Sequence, residues 1–332
     1  MNLKVGVLDQ SPIVEGGDAT RALRESVELA QFTEALGYHR YWVAEHHSSA
    51  SFAGCAPEIL IGHIATHTNH IRVGSGGVML MHYSPLKVAE TFKLLATLHP
   101  GRIDLGIGRA PGSDGLTAAA LAYGSKVGME YFAARFADLL AFVHDTPTFT
   151  EALNPVKALP VPEVPPETWV LGSTPDGAML AAHFGAPFCY AHFISQSAME
   201  KALQVYRRDF RPSAFCPAPR VGVGVAVICA ETEDRAMLLA RSGDLWRTRF
   251  ETGQFTPFPS LDSVRAHHFS EAEEKLVEGR RRRQFIGTPE SVGASLRQLV
   301  ADTGADELSI VAITHDFEDR KAVYSLLAPE LG

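Results

Sequence analysis

Cysteine is scarce in this chain: four residues in 332, at Cys55, Cys189, Cys216 and Cys229, with no C-x-x-C pair. That excludes a disulfide-stapled scaffold and offers no structural-zinc spacing. Long apolar runs are missing too. The longest, Val221–Ala230, falls far short of the roughly 20 residues that cross a bilayer. Positive charge is not in excess: 30 Lys and Arg against 38 Asp and Glu leave a net charge of −8, which disfavours nucleic acid and anionic membranes as partners. The opening Met1–Asp9 has neither the apolar core nor the small-residue cleavage site of a secretory signal, so the expected location is the cytoplasm. No low-complexity tract or long-period repeat is present.

What remains is an ordinary globular composition, 46% hydrophobic and 20% charged, at a length that permits a large core. Strand-like and helix-like segments alternate along it. Strands are expected at 3–8, 40–44, 71–75, 103–108, 169–172, 187–191, 221–229 and 307–313. Helices follow them at 20–36, 56–68, 86–98, 128–145, 176–184, 198–210, 231–249 and 316–327, with another at 289–302. Two stretches break the alternation: 146–168, which holds six prolines, and 254–283. Strict β-then-α order implies a parallel sheet, and eight units predict a closed (β/α)8 barrel, one domain over 1–332 with insertions near 146–168 and 254–283. An open doubly wound sheet is the alternative.

A barrel of this kind builds its active site from residues just after each strand. Those positions here are polar or glycine: Asp9-Gln10-Ser11, Glu45-His46-His47, Gly76-Gly77, Arg109, Ser173-Thr174, His192 and Thr314-His315. Glu45-His46-His47 reads as a base with its orienter, as metal ligands joined by His192 and His315, or as loop histidines satisfied by backbone. Neighbouring residues leaving a strand point opposite ways, which argues against one ion held by both His46 and His47. An imidazole titrates near neutrality and suits proton transfer. Gly76-Gly77 permits either a close backbone approach or a tight turn. Ser173-Thr174-Pro175-Asp176 carries helix-start signals, and the free N–H groups of such a start, with Arg109 nearby, form an anion site or simply a capped helix beside a solvated arginine. Arg280–Arg283 is a charge run, read as a solvated helix face or as an anion-contacting loop over the mouth.

Five motifs in order resemble the bacterial-luciferase-like flavin monooxygenases, in their short single-chain group. They are Gly6-Val7-Leu8-Asp9, Tyr41–His47 with its A-E-H-H, Val73–Leu80, Gly101–Asp114 with its G-x-G-R-A-P-G, and Ile286–Glu290. The resemblance implies a (β/α)8 fold and an FMN-dependent monooxygenase. It uses reduced FMN and O2 to oxygenate a small organic substrate through a peroxyflavin. A separate NAD(P)H:flavin reductase and a homodimer are expected with it, and no metal. A deazaflavin-dependent hydride transferase of the same superfamily, or a non-catalytic flavin-binding protein, is the alternative.

Carried over residue by residue, the family's non-prolyl cis peptide beneath the flavin falls on Gly76-Gly77. Its phosphate contacts fall on Arg109 and Ser173, with Gly172 and Asp176 beside them. Its flavin-side histidine falls on His46, a pocket carboxylate on Glu45 and a loop aspartate on Asp114. The chain departs from the family at Met81-His82-Tyr83-Ser84-Pro85, where relatives carry a Pro-Asn-His-like sequence, and this change is expected to reshape the substrate side of the pocket. Tyr190-Ala191-His192-Phe193 keeps a family-like histidine-aromatic pair.

Overall fold

The computed structural model describes residues 3–109, 112–123 and 131–332. Nine parallel strands run Lys4–Asp9 (β1), Arg40–Val43 (β2), Arg72–Met79 (β3), Ile103–Gly108 (β4), Glu167–Gly172 (β5), Phe188–Ala191 (β6), Val221–Cys229 (β7), Gln284–Gly287 (β8) and Glu307–Val311 (β9). β1 through β7 follow one another around the sheet, and β9 pairs with both β7 and β1. The result is a closed eight-stranded parallel barrel, as the β/α alternation predicts. The ninth strand was not expected. β8 pairs only with the far half of β7, Ala226–Cys229, and extends the rim there. The last barrel strand also stops at Val311, two residues before the expected Ile313.

The helices start where local chemistry tells them to. Asp18 caps Ala19–Ala35 (α1) by accepting from the Arg21 N–H at 2.8 Å. Pro57–His67 (α2) and Pro85–Leu98 (α3) open on proline, which loses no hydrogen bond in a first turn. Pro175–Phe184 (α6) opens the same way behind Thr174 and closes on Gly185 at φ +59°. Gly115–Ala122 (α4) was not expected. It precedes Phe132–His144 (α5), and the expected start of α5 near Gly128 lies outside the described residues, as do Ala110 and Pro111 of the arginine motif. Met199–Asp209 (α7) and Glu233–Glu251 (α8) follow. The stretch 254–283 is less irregular than expected: it holds Leu261–Ala266 (α9) and Glu271–Arg281 (α10), the latter with a Ser270/Glu273 capping box. Pro289–Thr303 (α11) and Phe317–Leu331 (α12) close the chain. The proline-rich 146–168 forms only a short 3-10 turn, Glu151–Leu153, before β5. No described helix is long and apolar enough to cross a membrane.

Charge plugs the N-terminal end of the barrel. Arg40, at the start of β2, donates to Asp104 at 2.6 Å and to Glu307 at 3.1 Å. Arg220 spans Glu167 and Glu307 at 3.1 and 3.0 Å. Trp42 and Trp169 donate their indole N–H groups to Asp104 and Glu167. Buried ions are tolerated only when paired this fully. Above this layer Leu8, Trp42, Trp169, Cys189 and Val311 fill the interior. With one end closed by ions and the middle packed, only the C-terminal mouth is left for a ligand.

Candidate active site

Two cavities open at that mouth. The smaller, about 110 Å3, lies where β4 and β5 end; Arg109, Val170, Leu171, Asp176, Gly177 and Leu180 line it. The larger, about 400 Å3, lies over the ends of β1, β2, β7 and β9, and α8 forms its outer wall.

β2 delivers Glu45, His46 and His47. Strand-like alternation continues past Val43, anchored by Ala44 N–H to Asp9 O at 2.9 Å and His46 N–H to Gly54 O at 2.7 Å. His46 therefore enters the larger cavity, its ring 4.6 Å from that of Phe52. Its Nδ1 is shielded from solvent and has no hydrogen-bond partner among the described residues. Burial, with His47 adding to it, pushes the imidazole down to about 4, so it is neutral at pH 7.

Glu45 and His47 face the other way. The fully buried Glu45 accepts from the Met79 N–H at 3.0 Å and the Tyr83 hydroxyl at 2.7 Å, and meets His47 Nε2 at 2.7 Å. The Glu45 carboxylate thus ties β2 to the end of β3 and does not line the larger cavity. Tyr83 spends its hydroxyl on the same knot. Of the 81–85 departure, Tyr83 thus serves the support behind β2 and β3, and none of residues 81–85 lines that cavity.

A cis peptide joins Gly76 and Gly77, where the resemblance places one, and the β3–β4 register shifts between Gly76 and Val78. The glycines are demanded by the barrel's own packing. A Cβ on Gly76 would strike Leu8 Cδ1, and one on Gly77 would lie 2.7 Å from Gly106 O and 2.8 Å from Leu171 Cδ1. Gly172 is freer, since a Cβ there would meet nothing nearer than 3.7 Å.

Arg109 leaves β4 into the smaller cavity, facing the first turn of α6. Its guanidinium forms no ion pair with any described residue. Thr174 caps α6, and Asp176 sits in its first turn and lines the same cavity. Ser173 precedes the cap, its carbonyl accepting from the Tyr190 hydroxyl at 3.0 Å. Arg109, Ser173 and Asp176 are thus brought together around one helix start. A cation with no ion-pair partner among the described residues, at the start of a helix, suits an anion, with the Asp176 carboxylate opposing it in part.

Asp114 is placed elsewhere. Its carboxylate caps α4, accepting from Leu116 N–H, Thr117 N–H and the Thr117 hydroxyl at 2.8, 2.9 and 2.8 Å, and it lines neither cavity. His315 is engaged with Glu15 O at 2.9 Å, while His192 is buried, its Nδ1 without a partner among the described residues. Among the described residues no group of three His, Cys, Asp or Glu could hold a metal ion.

The far wall of the larger cavity was not anticipated. Gln10 and Phe193 were in view as strand-end residues, but Phe52, Trp246, Arg247 and Phe258 were not. They come from loops and from α8, whose amphipathic pattern gives no hint of a ligand.

A closed parallel barrel with its polar residues gathered at the C-terminal mouth is the architecture of a (β/α)8 enzyme. The chain belongs to the luciferase-like monooxygenases, whose family model matches residues 3–307. It is similar, at 42% identity over 326 residues and 98% of both chains, to the uncharacterized protein YceB of Bacillus subtilis (strain 168). To the N-acetyl-S-alkylcysteine monooxygenase of the same organism it is 34% identical over 329 residues, covering 98% of this chain and 97% of that relative. The crystal structure of apo-MsnO8 matches with a TM-score of 0.91 at 38% identity, over 99% of this chain and 98% of that one.

Proposed function

We propose that this chain is an FMN-dependent monooxygenase that takes reduced FMN from a separate NAD(P)H:flavin reductase and uses O2 to oxygenate a small organic substrate. The observation that carries this reading is the division of the mouth into two sites. One is a small anion cavity with a cation at a helix start that has no ion-pair partner among the described residues; the other is a larger, mainly apolar cavity containing a neutral imidazole whose Nδ1 has no described partner.

The residues fit the cofactor. Arg109 and the Asp176 N–H in the first turn of α6 would hold its phosphate, with Ser173 and Gly172 shaping that end. Gly76 and Gly77 would form the floor between the two cavities. Bound reduced flavin supplies two electrons and activates O2. The rest falls to side chains. His46, neutral at working pH, has one N–H and one lone pair to hold or pass a proton at the cavity wall. Phe52, Trp246 and Phe258 exclude water, which keeps activated oxygen from being lost as hydrogen peroxide. Glu45 is a positioning residue: through Met79 and Tyr83 it fixes the turn from which His46 projects.

Anaerobic titration with FMN and with FMNH2, followed by admission of air, tests the reading. Saturable binding that favours FMNH2, and reoxidation slower than that of free flavin, is the expected result. Failure to bind either form overturns it.

A further inference from the structure

The larger cavity carries more positive charge than its surroundings compensate. Arg247 from α8, Arg280 from α10 and Arg283 from the turn into β8 all line it. Arg247 and Arg280 share one carboxylate, Glu251, at 3.2 and 3.0 Å. The cavity's own acid, Asp244, is claimed by Arg281 at 2.6 Å, with Arg241 a further 3.7 Å contact. Arg283 has no carboxylate among the described residues, and its guanidinium makes a single hydrogen bond, to Ile194 O at 2.8 Å. Yet the chain as a whole is acidic, at −8. A half-buried guanidinium without a counter-charge, with most of its donors unspent, is a binding group awaiting an anion.

The same cavity has an apolar wall of fixed shape. Trp246 donates its indole N–H to Ser51 Oγ at 2.9 Å, and its ring stands edge-on to Phe52 at 5.6 Å. Its polar edge is satisfied by protein, leaving aromatic surface for the ligand. Val311 and Ile313 continue that surface towards the barrel axis.

We propose that the larger cavity selects a substrate with a carboxylate at one end and an apolar chain at the other. Arg283 takes the carboxylate, and the Phe52/Trp246 wall takes the chain. A monoanion matches the one guanidinium lining this cavity that has no carboxylate among the described residues. This assignment rests on the reading of the mouth as an oxygenase site.

The test uses an isosteric pair, hexanoate and hexanamide, measured by calorimetry on the full chain with and without FMN. Wild type is expected to bind hexanoate at least about tenfold more tightly than hexanamide, the gain from a charge-assisted contact. Arg283→Gln should erase that preference while leaving hexanamide binding unchanged, and Arg283→Lys should keep most of it. The hexanamide affinity doubles as a check on folding. Equal binding of acid and amide, no detectable hexanoate binding, or a preference that survives Arg283→Gln overturns the proposal. FMN titration of the same samples separates the two readings. Loss of flavin binding would refute the oxygenase assignment while the acid preference stood on its own, and intact flavin binding with no acid preference would refute only the substrate class.

Discussion

His46 and His47 are neighbours in the chain and strangers in the fold. His46 lies against Phe52 in the larger cavity, its buried Nδ1 without a partner among the described residues, whereas His47 turns back to meet Glu45 at 2.7 Å. Alternation past the end of β2 is the cause, and it divides the E-H-H triplet into one residue that lines the cavity and two that support it from behind. Glu45 gathers an N–H from β3 and a hydroxyl from Tyr83, so the turn carrying His46 is tied from behind.

That division predicts what His46→Ala should do. The residue contacts no part of the Arg109 cavity, so FMN affinity should stay within about twofold of wild type, below the threshold of one ordinary hydrogen bond. Proton handling at the larger cavity should fail. Oxygen electrode traces compared with product yield would then show O2 consumed but released as hydrogen peroxide. Full coupling in this variant would remove His46 from the mechanism.

The same imidazole should mark the protein's pH dependence. Burial holds His46 at about 4 in the fold, against about 6.5 in an unfolded chain. Between those values the unfolded chain binds a proton that the folded one refuses, so stability falls as pH drops through 6.5 and levels off below 4. From pH 7 to pH 5 this single group accounts for a loss of about 2 kcal/mol. Urea midpoints at the two pH values should therefore differ less in His46→Gln than in wild type, and an identical loss in both would contradict the assignment.

Arg109 should behave in the opposite way to His46. Because it forms no ion pair with described residues, Arg109→Ala should leave the thermal midpoint nearly unchanged. It should weaken FMN binding by at least about tenfold, the worth of a charge-assisted phosphate contact. Fluorescence titration of FMN against the variant reads this directly. Unaltered affinity would move the phosphate elsewhere.

How far the sequence reveals this molecule depends on the range of each signal. Barrel strands and their helices announce themselves through apolar periodicity and caps such as Asp18 and Thr174-Pro175, all within a few residues. β8 is four residues long and follows immediately on an arginine run, too short to show a period. The α10 capping box, Ser270 and Glu273, is a local signal that was open to reading; the expectation of an irregular insertion passed over it. At the site, His46 and Arg109 follow from the strand-end rule. Trp246 and Phe258 do not, because they reach the mouth from α8 and the loop after it, about 200 residues along the chain from His46. The arginine run splits in a way composition cannot show: Arg281 pairs with Asp244, and Arg283 has no acid partner among the described residues.

Gly77 offers a test of the barrel floor that needs no cofactor. A Cβ there would come within 2.7 Å of Gly106 O, backbone that cannot swing aside, and 2.8 Å of Leu171. Overpacking of this kind costs about 1–3 kcal/mol. Gly77→Ala should lower stability by that amount in urea titration, even without flavin. A variant as stable as wild type would mean that the floor yields, and that glycine is kept there for a ligand instead.

Asp114 is where the resemblance and the structure point in different directions, and one variant separates them. The resemblance implies a carboxylate near the reactive edge; the structure spends that carboxylate on three donors at the start of α4, a helix with no buried residue. Three such hydrogen bonds hold Asp114 below the usual carboxylate range, so it stays ionised and serves the cap throughout neutral pH. Asp114→Ala should therefore loosen α4 locally and hasten proteolysis between 115 and 122. Because the helix contributes nothing to the buried core, the global thermal midpoint should not move. FMN affinity and oxygen coupling should also match wild type, since the residue lines neither cavity. Uncoupling in Asp114→Ala without any change in proteolysis would instead show that this carboxylate leaves its cap to act in the reaction.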